Sequence, residues 1–214
     1  MKYISSLLLM SLIFISSLNY ANAGESDKMS EKQNSGENIK EAVFAGGCFW
    51  CIEKPYEQVD GVISATSGYI GGHTKNPTYK DVSGGRSGHY EAINVVYDSS
   101  KISYKELLEI FWVNIDPHDA YGQFCDKGQQ YSSAIFYGND SEKKLAEESI
   151  EYLTKERNLK GKIYTQLIKT SKFYDAEDYH QDYYKKNPVR YKFYRYRCGR
   201  DSRLDDIWGS NRKY

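Results

Sequence analysis

Cys48 and Cys51 stand three residues apart in Gly46-Gly47-Cys48-Phe49-Trp50-Cys51, a spacing that serves redox chemistry. On a helix, positions i and i+3 share a face with Cβ atoms about 5–6 Å apart, close enough for a disulfide after small adjustment. The apolar run Ala42-Val43-Phe44-Ala45 precedes the glycines, and Ile52-Glu53-Lys54-Pro55-Tyr56-Glu57 follows the cysteines. This order predicts a strand, a tight glycine turn and a helix that starts at or near Cys48 and runs to about Val59. A helix N-terminus carries about half a positive charge and unpaired N–H groups, which would stabilise a thiolate and lower a cysteine pKa from its usual ~8.5. The two glycines allow close approach of the backbone to a substrate.

Three chemistries compete for this pair: a thioredoxin-like thiol-disulfide oxidoreductase, a zinc site, and a thiol enzyme that reduces peroxide or sulfoxide. Zinc calls for a second Cys-x-x-Cys or a paired histidine, and Cys125 and Cys198 are single and far apart. A thioredoxin-like exchanger using Cys48 and Cys51 has the spacing, but an aromatic pair lies between its cysteines and the surrounding elements do not follow that fold. It is the alternative to the third reading. The four cysteines could also form two structural disulfides in an exported binding module, although a domain of this length does not need staples.

The remaining elements must place these thiols. Strands are predicted over 62–70, 90–97, 131–137 and 163–168, each rich in β-branched or aromatic residues. Ser103 as N-cap with Glu106 three residues on opens a helix whose apolar face is Leu107, Leu108, Phe111 and Trp112. A second amphipathic helix is expected over 141–157, and a polar, aromatic one within 173–186. The glycine-rich stretch from Ser83 to His89 lacks a following Gly-Lys-Ser/Thr and leads into a strand, which argues against a phosphate cradle. The 118–130 loop is long for a connection and carries Cys125-Asp126, which marks it as functional. These elements predict an α+β fold: a two-layer sandwich around a small mixed sheet, with a β-α-β-β-α-β core of the ferredoxin-like type and a long irregular C-terminal tail.

The chain has 214 residues and a formal charge of zero, so it lacks the basic excess that nucleic-acid binding requires. Residues 1–23 combine Lys2, an apolar stretch too short for a membrane span and the ending Ala21-Asn22-Ala23, which reads as a secretory signal peptide. No cysteine follows the expected cut, so no lipid anchor is indicated. Residues 24–40 have almost nothing to bury and read as a disordered linker. Residues 41–214 are expected to form one folded domain that carries all four cysteines. The mature protein is expected to be a monomer, periplasmic or secreted, without stable membrane association.

Several stretches, in order from about Val43 to Trp208, resemble the A type of peptide methionine sulfoxide reductase. They are Gly47-Cys48-Phe49-Trp50, Gly68-Tyr69-Ile70-Gly71-Gly72, Asn76-Pro77-Thr78-Tyr79, Gly88-His89-Tyr90-Glu91-Ala92, 129–135 (QQYSSAI) and 176–181 (AEDYHQ). The resemblance implies that Cys48 attacks the sulfur of an oxidised methionine of the S epimer, in proteins and also free, while Glu91 protonates the departing oxygen. It implies that Tyr79 and Tyr131 hydrogen-bond the sulfoxide oxygen, that Asp126 helps organise the site, and that Phe49 and Trp50 wall the S-methyl group. His180 matches the family without a role that the residue itself suggests.

Cys48 would then be a sulfenic acid that a second thiol converts to a disulfide. The commoner Gly-Cys-Phe-Trp-Gly pattern is broken here by Cys51, which becomes the nearest resolving thiol. Cys198 is a second one, and Cys125 could pair with it as a relay or as a plain bridge. The resemblance implies no metal and no bound cofactor. The partners it implies are oxidised methionine-containing proteins and an external thiol reductant, either a thioredoxin-fold protein or dithiothreitol.

Overall fold

The computed structural model describes residues 38–212. The expected signal peptide and all but the last residues of the expected linker lie outside the described residues. The first strand, β1 (Ile39–Gly46), begins two residues before the expected domain start. It alternates sharply: Ala42 and Phe44 point into one apolar cluster, Val43 and Ala45 into another.

Helix α1 (Phe49–Glu57) leads from β1 to β2 (Val62–Ile70). Helix α2 (Tyr79–Ser83) and strand β3 (Tyr90–Asp98) follow. Next comes α3 (Tyr104–Val113), whose Ser103–Glu106 capping box is formed as the sequence predicts. A small hairpin of β4 (Gly122–Gln123) and β5 (Asp126–Lys127) occupies the long loop, and a 3₁₀ turn over Gln129–Tyr131 leads into β6 (Ser133–Tyr137). Helix α4 (Asp140–Lys155), capped by Asn139, precedes β7 (Gln166–Lys169) and β8 (Tyr174–Asp175).

The main sheet has the order β7-β6-β1-β3-β2-β8. Its four central strands pair antiparallel, with α1 and α3 as the two crossovers, which is the expected ferredoxin-like arrangement. Strand β7 lies parallel to β6 and makes the sheet mixed. On one face the helices bury the larger core, where the Phe44 ring lies 5.4 Å from both Tyr56 and Phe111. The Tyr56 hydroxyl donates to the Leu107 carbonyl at 2.9 Å and so ties α1 to α3. The other face is covered by a thinner cluster of Val43, Ala45, Ile70, Tyr90, Ala92, Ala134 and Phe136.

The C-terminal third departs from expectation. No long helix fills 173–186: the segment contributes the two-residue β8, a turn and the short α5 (Tyr183–Lys186). The tail expected to be irregular holds α6 (Pro188–Arg197) and α7 (Arg200–Trp208). Pro188 opens α6 at its first turn, where its fixed φ suits a helix start, and Gly199, with φ +63°, separates the two helices. Within α6 only Tyr191 is buried, so the helix presents no apolar stripe that a periodicity reading could detect.

Candidate functional site

The site is assembled around the N-terminal end of α1. Cys48 is the N-cap residue and makes no side-chain cap, and it is 6% exposed. Gly47 has a φ of +82°, and a Cβ there would lie 2.5 Å from the Gln123 side chain, so only glycine fits the turn. The close approach that the glycines permit is therefore to the protein's own β4. Gln123 is buried and anchored to Asp116, accepting from its N–H at 2.8 Å and donating to its carbonyl at 2.7 Å.

Glu91, on β3, reaches the start of the helix. The Phe49 backbone N–H donates to Glu91 Oε2 at 3.2 Å. With the residue 1% exposed, burial pushes its pKa up to about 8, against the pull of that hydrogen bond and with a push from the Asp126 and Cys51 charges. The carboxyl group therefore holds its proton at neutral pH.

Tyr79 and Tyr131 share a hydrogen bond, and both face Glu91 and Cys48. Burial raises both phenols, Tyr79 to about 12, so both remain proton donors. Asp126 sits beside them, and the Tyr194 hydroxyl of α6 donates to its Oδ2. Burial also raises Asp126, opposed by that hydrogen bond and by Arg200. The structure thus brings Cys48, Glu91, Tyr79, Asp126 and Tyr131 together, although they come from five separate parts of the chain.

The aromatic wall is more structured than two rings. Phe49 is 1% exposed, packed between Tyr69 and His180 at 6.0 and 5.0 Å. Trp50 is only half-buried and lies against Tyr183, rings parallel and 3.7 Å apart, with Tyr194 edge-on at 5.9 Å. Its indole N–H donates to His180 Nδ1 at 3.0 Å. That bond leaves Nδ1 without a proton, so the neutral ring carries it on Nε2.

Sequence reasoning missed several of these supports. Glu177 accepts from the Tyr79 N–H and the Tyr69 hydroxyl, each at 2.9 Å, and so fixes the start of α2. Glu53, buried in α1, accepts from the Asp182 N–H at 2.8 Å and from Ser67 at 3.3 Å, and burial raises it to about 7. Glu177 lay inside a quoted motif without a role, Tyr183 lay in the expected polar, aromatic helix without a role, and Tyr194 and Arg200 fell in the tail read as irregular. Glu53, Glu57 and Asp182 bring carboxylate oxygens within 4.8 Å of one another, but Lys185 pairs with both Glu57 and Asp182.

Of the four cysteines, Cys48 and Cys51 are free and both are buried. Cys125 and Cys198 form a disulfide that joins the β4–β5 hairpin to the end of α6 across 73 residues. Cys198, expected as a second resolving thiol, is therefore already oxidised in this structure and Cys51 is the free thiol beside Cys48. The Cys51 N–H donates to the Cys48 carbonyl at 3.0 Å, and the two side chains share a hydrogen bond.

The expected lowering of Cys48 is not what its surroundings produce. Burial pushes its thiol up, with Cys51, Glu91 and Asp126 adding to the push, while the Phe49 N–H at the helix start is engaged by Glu91. Cys51 moves the other way, to about 6, through the hydrogen bond from Cys48 and the charges of Arg200 and Arg195, against its own burial. The two shifts run in opposite directions, favouring the proton on Cys48 and the charge on Cys51.

A cysteine pair, a protonated buried carboxyl and two phenols converge beside one aromatic wall. The family description "Peptide methionine sulfoxide reductase" matches residues 40–212. The chain belongs to the peptide methionine sulfoxide reductase family. It is 48% identical over 168 residues to Peptide methionine sulfoxide reductase MsrA of Bacillus licheniformis, covering 78% of this chain and 93% of that protein. It is 46% identical over 182 residues to the MsrA of Bacillus subtilis, covering 85% and 99%.

Among solved structures, the crystal structure of Mxr1 from Saccharomyces cerevisiae in reduced form aligns with a TM-score of 0.65 at 34% identity, covering 72% of this chain and 88% of that one. Methionine sulfoxide reductase A of Corynebacterium diphtheriae aligns with a TM-score of 0.64 at 30% identity, covering 73% and 78%. The chain is an oxidoreductase that returns methionine sulfoxide to methionine.

Proposed function

We propose that the chain reduces the S epimer of methionine sulfoxide through a sulfenic acid on Cys48, with Glu91 as the acid and Cys51 as the resolving thiol. The observation that carries this reading is the protonated Glu91 carboxyl held at the same helix end as Cys48. The sulfoxide sulfur approaches Cys48 with its oxygen toward Glu91 and the hydroxyls of Tyr79 and Tyr131, and its methyl group against Phe49 and Trp50. Asp126, through Tyr194, keeps that wall in place.

As Cys48 attacks, its proton passes to the Cys51 thiolate across their hydrogen bond. Glu91 protonates the sulfoxide oxygen, which ends on Cys48 as the sulfenic acid, and methionine leaves reduced by two electrons. Cys51 then loses its proton and attacks the Cys48 sulfur. The S–S bond forms, the S–O bond breaks, and the departing hydroxide takes a proton to become water. An external dithiol of the thioredoxin-fold class, or dithiothreitol, reduces the Cys48–Cys51 bond and restores the pair.

The protein acts as a monomer on oxidised methionines in proteins and as the free amino acid. It acts outside the cytoplasm, a location supported by the Cys125–Cys198 disulfide, because such bonds persist in oxidising compartments. No helix among the described residues is long and apolar enough to cross a membrane. Turnover of S-epimer methionine sulfoxide with dithiothreitol tests the assignment: methionine should accumulate, the R epimer should persist, and Cys48→Ser should remove turnover. Full turnover by Cys48→Ser would end it.

A further inference from the structure

Arg200 is the first residue of α7, yet it is buried, with 2% exposure. Taking a guanidinium out of water is costly unless it finds a counter-charge. Arg200 donates from Nη2 to two backbone carbonyls, Gly46 at 3.0 Å and Asn114 at 2.7 Å, and stacks on the Phe124 ring at 4.3 Å. Its Nε is buried without a partner, and it makes no ion pair among the described residues. Neighbouring Arg195 differs, because Asp201 holds its guanidinium with contacts of 2.6 and 2.9 Å.

The carbonyl that Arg200 grips lies two residues before Cys48, and a Cβ on Gly47 would stand 3.6 Å from its Nη1. The unpaired cation is therefore built against the turn that leads into Cys48 and the first turn of α1, which carries Cys51. Its position is set by the Cys125–Cys198 disulfide, which pins the chain two residues before it, and by the left-handed turn at Gly199.

We propose that Arg200 is the counter-cation of the Cys51 thiolate, a positioning residue that keeps Cys51 ionised for its attack on the oxidised Cys48. This inference rests on the reading of Cys51 as the resolving thiol. Cys51 also faces Cys48 on its own helix, Arg195, Tyr191 and Tyr194 from α6, Asp126 from the hairpin and Glu91 from β3. Of the two cations, Arg195 is already neutralised by Asp201, so Arg200 supplies the uncompensated charge. The attack itself forms the Cys51–Cys48 S–S bond and expels hydroxide, as written above.

The test is a single turnover on the full-length reduced protein without reductant, with the Cys48 sulfenic acid trapped by dimedone and the disulfide counted by mass spectrometry across pH. In the wild-type protein, disulfide formation should rise with a midpoint well below the ordinary thiol value of ~8.5. Arg200→Met should raise that midpoint by about one unit or more, slow disulfide formation about tenfold near pH 7, and move the acidic limb of the methionine burst to higher pH in parallel. Arg200→Lys, which keeps the charge, should stay nearer wild type. An ordinary-thiol midpoint in the wild-type protein overturns the inference even if the variants fail to fold, as does a wild-type profile in Arg200→Met. Cys51→Ser run in parallel should accumulate sulfenic acid. If it instead forms an internal disulfide at the wild-type rate, the resolving role of Cys51 itself is wrong.

Discussion

The Phe49 N–H donates to Glu91 Oε2 at 3.2 Å, so the free donor at the start of α1 serves a carboxyl group and not the Cys48 thiol. This one bond makes the helix end an acid site.

Replacing Glu91 by Gln keeps the size and an acceptor for Phe49 but removes the proton. Single-turnover formation of methionine should slow about 10²–10⁴-fold, the range for loss of a positioned general acid. Substrate affinity should change little. Rapid-quench measurement of methionine released per enzyme checks this, and an unchanged burst rate would remove Glu91 as the acid.

The pH profile of the first step follows from the same groups. Glu91, raised to about 8 by burial, must be protonated, and Cys51, lowered to about 6, must be ionised to take the Cys48 proton. The wild-type burst rate should be bell-shaped between these values. The acidic limb should vanish or move in Cys51→Ser, and the alkaline limb in Glu91→Gln.

Stability should carry the Glu91 signature with a definite sign. Its folded pKa lies above the unfolded one, so the native state binds more protons between roughly pH 4.3 and 8 and stability falls as pH rises through that window. Glu53, raised to about 7, adds to the same slope. Cys51, lowered to about 6, contributes with the opposite sign above that pH, so the Glu91 share is read by difference. Between pH 5 and pH 8.5 the wild-type protein should lose on the order of 3 kcal/mol more than Glu91→Gln in urea unfolding.

Trp50 stands between the Tyr183 ring and His180 Nδ1. Tyr183→Ala removes a stacked partner worth about 0.5–1.5 kcal/mol. KM for a methionine sulfoxide peptide should rise about threefold to tenfold with kcat nearly unchanged, as measured by steady-state kinetics.

Much of this was legible in the sequence. The glycine turn, the Ser103–Glu106 box and the apolar run before the glycines marked the core elements, and spacing alone made Cys48 and Cys51 a redox pair. What escaped has physical causes. Helix α6 buries only Tyr191, so it lacks the apolar stripe that marks a surface helix. Strand β8 is two residues long and exists only because Gly68 and Tyr69 on β2 pair with it. Arg200 breaks the rule that arginines face water, and only the tertiary structure reveals what it faces. The direction of the Cys48 shift was hidden for the same reason: only the tertiary structure shows how deeply the thiol is buried and that Cys51, Glu91 and Asp126 lie around it.

The Cys125–Cys198 bond closes 73 residues, for which loop entropy gives a stabilisation of about 4 kcal/mol. Cys198→Ser should lower the unfolding midpoint accordingly in denaturant melts. The Cys125–Cys198 bond of the wild-type protein should persist through turnover.

The most direct measurement is mass spectrometry of the disulfides present after one equivalent of S-epimer methionine sulfoxide, with no reductant. A Cys48–Cys51 bond formed in step with one methionine, beside an unaltered Cys125–Cys198 bond, is the predicted result. A Cys48–Cys198 bond, or methionine release with both Cys48 and Cys51 still reduced, would contradict the account.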